Sequence, residues 1–62
     1  MRLEIGKCYT VQKADNTVVT FKFVGNNPNN LNELQVEIDG ERSSLYEILT
    51  GGYIAYYEID CE

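Results

Sequence analysis

A run whose apolar residues recur at every second position fits a half-buried strand, and most of this chain is made of such runs. Thr17 to Val24 reads TVVTFKFV, with Val19, Phe21 and Phe23 on one face and Val18, Thr20, Lys22 and Val24 on the other. From Lys7 to Lys13 the same period sets Tyr9 and Val11 against Cys8, Thr10 and Gln12. Ala14-Asp15-Asn16 lies between the two runs, and Asp and Asn tolerate the left-handed backbone of tight turns, so the pair reads as a hairpin. Glu33 to Ile38 repeats the pattern, with Leu34, Val36 and Ile38 inward and Gln35, Glu37 and Asp39 outward. Asp39-Gly40 is the strongest two-residue turn signal in the chain, and a short return strand over Glu41–Ser43 follows it. Tyr53 to Cys61 is expected to be the last and longest strand. Ala55, Tyr57, Ile59 and Cys61 are assigned to its inner face, and Ile54, Tyr56, Glu58 and Asp60 to its outer one.

Two stretches break the alternation. Gly25 to Asn32, GNNPNNLN, holds five asparagines and the single proline, which cannot donate to a ladder, and it reads as a loop. Ser44-Leu45-Tyr46-Glu47 fits a capping box, in which Ser44 and Glu47 satisfy each other's backbone amides. Leu45, Ile48 and Leu49 continue at helical spacing until Gly51-Gly52, so one or two helical turns are expected there.

The 62 residues allow one domain, 1–62, with a small core. A flat sheet of this size would leave an apolar face bare, whereas a curled one closes that face on itself. The order of elements resembles an SH3-like barrel: a Gly6-Lys7-x-Tyr9-x-Val11 opening strand, a hairpin, a second hairpin at Asp39-Gly40, then a helical turn. The expected fold is therefore all-β, a small SH3-like, partly open five-stranded barrel with one short helical turn before the last strand. The chain lacks tryptophan and any ALYDY-type segment, so no ligand-binding residue follows from the resemblance.

Charge is distributed unevenly. Residues 1–32 carry four cations and two carboxylates, whereas residues 33–62 carry eight carboxylates and Arg42 alone. Nucleic-acid affinity comes largely from Lys and Arg displacing counterions, so no nucleic-acid partner is expected. An acidic surface instead draws in a basic protein. No window is apolar enough to span a membrane, and MRLEIGKCYTV has no run of secretory length. Two cysteines are too few for a disulfide scaffold and fit no zinc spacing, so reduced thiols and a cytoplasmic location are expected. A bridge between Cys8 and Cys61 requires the first and last strands to be neighbours.

The absence of histidine removes the commonest general base and metal ligand. No glycine-rich phosphate loop precedes a helix, and so short a chain offers little burial to raise a carboxylate's pKa. An enzyme is not expected, nor a cofactor. Glu58, Asp60 and Glu62 alternate about 7 Å apart, too widely to close around one cation without help from a neighbouring strand. The expected role is a binding module for a basic protein surface, itself a monomer or weak homo-oligomer. Ile54 and Tyr56 are the apolar anchors, and Glu37, Asp39, Glu58 and Asp60 are the steering charges. A nucleic-acid-mimicking inhibitor and a self-associating structural protein are the alternatives.

Overall fold

The computed structural model describes residues 2–61. Its strands are β1 (Cys8–Lys13), β2 (Val18–Asn27), β3 (Asn30–Ile38), β4 (Glu41–Ser44) and β5 (Tyr53–Ile59), with a single helical turn, α1 (Leu45–Ile48), ahead of β5. All pair antiparallel in one sheet of order β4-β3-β2-β1-β5. The two end strands are not bonded to each other, so the sheet is not closed.

The core follows the alternation of β1, β2 and β3. Tyr9, Val11, Phe21, Phe23 and Val36 are buried, and Val19 and Ile38 pack beside them. Leu45 of α1 joins this cluster, with Ile48 and Leu49 against its margin, so the helical turn covers apolar surface that the open sheet leaves uncovered. The segment before β1 also lies on this side. Leu3 packs on the core, and the amide of Glu4 donates to the Tyr9 hydroxyl (2.8 Å).

Both predicted turns form where backbone chemistry favours them. Asp39 and Gly40 adopt φ of 52° and 84°, the left-handed pair that joins β3 to β4 with the twist of the strands. Asn16 takes φ 72° between β1 and β2, and the Asp15 carboxylate accepts from the Thr17 amide (3.0 Å) and hydroxyl (2.6 Å). Those two bonds, the hydroxyl first, hold the Asp15 carboxyl below its ordinary value of 3.8. A depressed carboxyl stabilises the fold above that range, and the contribution disappears as the pH falls through the lowered value. In an acid titration from about pH 5 to pH 2, Asp15→Asn should therefore lose stability less steeply than the parent. Equal slopes by circular dichroism would remove Asp15 from the acid response.

Five expectations are corrected. The asparagine stretch is not a loop: β2 and β3 run through it and leave only Pro28-Asn29 as the turn. Asparagine side chains serve as local partners there, with the amide of Asn29 on Asn27 Oδ1 (2.9 Å), that of Asn32 on Asn30 Oδ1 (3.2 Å), and Asn26 Nδ2 on the Leu31 carbonyl. Ser44 stands at the N-cap of α1 with extended backbone but makes no side-chain cap. The longest strand is β2, ten residues, and not β5, seven.

The faces of β5 are also the reverse of those expected. Directly paired residues share a face of a sheet. Tyr56 pairs with core residue Val11, whereas Tyr57 pairs with Thr10, whose hydroxyl contacts that of Thr20 on the outer surface (3.1 Å). Tyr56 is accordingly half-buried and Tyr57 is 60% exposed. The strand carries apolar residues on both faces, so its own alternation does not select one, and the register with β1 does.

The thiols are not free either. Cys8 and Cys61 form a disulfide with Cα atoms 5.3 Å apart, which follows from β5 lying beside β1. Among the described residues no helix is long and apolar enough to cross a membrane.

Candidate functional site

The six residues singled out from the sequence do not form one patch. Glu37 lies on β3 between Lys22 of β2 and Arg42 of β4, and Asp39 occupies the next turn. Glu58 and the exposed Asp60 are at the opposite margin, three strand spacings or about 14 Å from β3. Glu58 shares the core side of the sheet with Tyr9, its partner across the ladder, while Glu37 and its partner Lys22 lie on the outer side. Ile54 is exposed at the start of β5, and the Tyr56 hydroxyl accepts from the Arg2 amide (3.0 Å). Glu62 lies outside the described residues.

Glu58 is already engaged. Its Oε2 is 3.3 Å from Lys7 Nζ, which is also 3.7 Å from Glu4 Oε2. The hydrogen bond and charge of Glu58, then the charge of Glu4, hold the Lys7 ammonium above its ordinary value. The pair ties the segment before β1 to the end of β5, but it is exposed and adds little stability.

A concavity lies elsewhere. An open groove of about 820 Å³ runs between the start of β3, the helical turn and the start of β5. Its apolar lining is Leu34, Leu45, Leu49, Tyr46 and Tyr53; its polar lining includes Asn30, Asn32, Glu33 and Thr50. Leu45 is buried, while Leu34 and Tyr53 are each 39% exposed and Tyr46 is 84% exposed. Leu34 does share a face with Val36, as its spacing predicts, but it lies beyond the edge of the core and faces the groove. The rim is braced from within. Asn27 Nδ2 donates to Glu33 Oε2 (2.6 Å), Thr50 Oγ1 donates to the Tyr46 carbonyl (3.1 Å), and Tyr53 meets Tyr56 edge-on with ring centroids 6.3 Å apart.

Aromatic and leucine surface beside amides and a carboxylate suits recognition of an amphipathic segment. In the sequence each of these residues reads only as part of a turn, helix or strand, and nothing there signals that three separated segments meet. No group of three or more metal-ligating side chains gathers among the described residues. Comparison with protein-family models, with curated proteins and with solved structures gave no match.

Proposed function

We propose that the chain is a non-enzymatic binding module, an SH3-like, partly open barrel that takes a basic segment of another protein into the groove between β3, α1 and β5. The observation that carries this reading is the exposure of Tyr46, Tyr53 and Leu34 around one open concavity in a molecule of net charge -5. The exposed side chains supply contact area at small entropic cost, because a tyrosine has few rotamers to lose. Glu33 in the lining offers a carboxylate to Lys or Arg, and the wider negative field raises the encounter rate. Strand order and the helical turn before β5 support the SH3-like description. The Cys8–Cys61 bridge favours an oxidising compartment over a reducing cytoplasm.

The test is a titration of the isotopically labelled domain with two sets of short synthetic peptides. One set alternates Lys or Arg with leucine or tyrosine; the other replaces every cation with Glu. Basic peptides should shift the amides of Leu34, Tyr46, Leu49, Thr50 and Tyr53, with affinity falling as salt rises. Tyr46→Ala should weaken that binding about tenfold, roughly 1.4 kcal/mol. Equal binding of the acidic set, or shifts confined to the outer sheet face, would refute the proposal.

A further inference from the structure

A different surface, the free edge of β5, carries its own argument. The sheet has two open edges of unlike character. β4 is four residues long, holds Glu41 and Arg42, and runs directly into α1, so it is a short, charged edge of the kind that resists further pairing. β5 is seven residues long, and Tyr53, Ile54, Tyr57 and Ile59 are all exposed along it. Its backbone direction follows from β1. The Lys13 amide donates to Thr17 of the neighbouring turn (2.8 Å), whereas that of Ala14 donates to Gly52 (3.1 Å). Alternation then points Cys8, Thr10 and Gln12 toward β5, where they bond Ile59, Tyr57 and Ala55. The amides and carbonyls of Tyr56 and Glu58 face away from the sheet.

We propose that β5 pairs antiparallel with β5 of a second copy of this chain, about a two-fold axis at Tyr57, joining two sheets into one of ten strands. Three features of the strand select that occupant and that register. The ladder with β1 is irregular between Gln12 and Lys13, where it skips Ile54, so the regular part of β5 is Ala55 to Ile59, and its centre is Tyr57. About that centre Tyr56 faces Glu58 of the second copy and Glu58 faces Tyr56, so the outward backbone groups meet one another in bonded pairs. On the outer surface Tyr57 meets Tyr57, and small Ala55 meets Ile59 on either side, which fills the seam without crowding. Carboxylates also fall correctly, because Glu58 opposes Tyr56 and never another Glu58, as a parallel pairing would require.

The axis makes the test specific. Sedimentation equilibrium of the oxidised protein, up to about 1 mM, should show a monomer–dimer equilibrium. Tyr57→Lys and Tyr57→Glu each place like charges face to face at the axis and should weaken dimerisation at least tenfold. An equimolar mixture of the two should recover it as a heterodimer. In the parent, hydrogen exchange at Tyr56 and Glu58 should slow as concentration rises, while Ala55, Tyr57 and Ile59, bonded to β1, should not change. A monomer at every concentration, variants that dimerise as the parent does, or a mixture no tighter than its components would overturn the proposal. The exchange measurement decides the matter even if a variant folds poorly.

Discussion

Replacing Cys8 and Cys61 together by serine should lower the stability of the chain by about 4 kcal/mol, most of what a domain of this size has to spare. The bridge spans 53 residues of sequence, so in the loop-entropy account it removes a large share of the unfolded chain's freedom. For a domain this small the corresponding fall in melting temperature is roughly 15–30 °C. The native state supplies the second reason. Within the sheet β5 is paired with β1 alone, and none of its residues is fully buried, so besides the ladder and the bridge only the exposed Arg2–Tyr56 and Lys7–Glu58 contacts and the half-buried Tyr56 ring retain it. Thermal and urea unfolding of Cys8→Ser/Cys61→Ser, and of the parent in excess reductant, should agree. Hydrogen exchange should quicken in β5 before it does in β2 and β3. A loss below about 1 kcal/mol would mean that β5 docks unaided and that the covalent link is incidental.

Where sequence and structure agree, the cause is local. The Asp39-Gly40 turn was legible because two consecutive left-handed residues favour those residue types, and they adopt that conformation. The inner faces of β1, β2 and β3 were legible because each strand has one clearly apolar side. Where they differ, a partner made the choice. YIAYYEI offers apolar residues on both faces, and only pairing of Tyr56 with Val11 turns that side inward. GNNPNNLN looked like a loop because asparagine favours turns, yet β2 and β3 extend each other through it and its amides bond back to their own hairpin. The disulfide needed β5 to be next to β1. The groove needed residues near positions 30, 46 and 53 to converge, which no short window of sequence records.

Phe21→Ala should cost about 3–5 kcal/mol, enough to leave the domain at the edge of unfolding. Phe21 is 2% exposed on β2, and it lies between Tyr9 of β1, its ladder partner, and β3. Its ring is tilted against that of Tyr9 with centroids 6.0 Å apart. Removing the ring takes away buried apolar surface and leaves a space that a single sheet cannot easily close, because its other face is in solvent. The loss extends to Tyr9, whose hydroxyl accepts from the Glu4 amide and so holds the segment that crosses the core toward Tyr56. Urea unfolding should show a much lower midpoint, and exchange at Glu4 should quicken along with that of the central strands. Phe21→Leu keeps most of the volume and should lose about 1 kcal/mol. If Phe21→Ala cost no more than Phe21→Leu, the buried side of β2 would be able to repack freely, and the outer face, not this one, would have to supply the cohesion of the sheet.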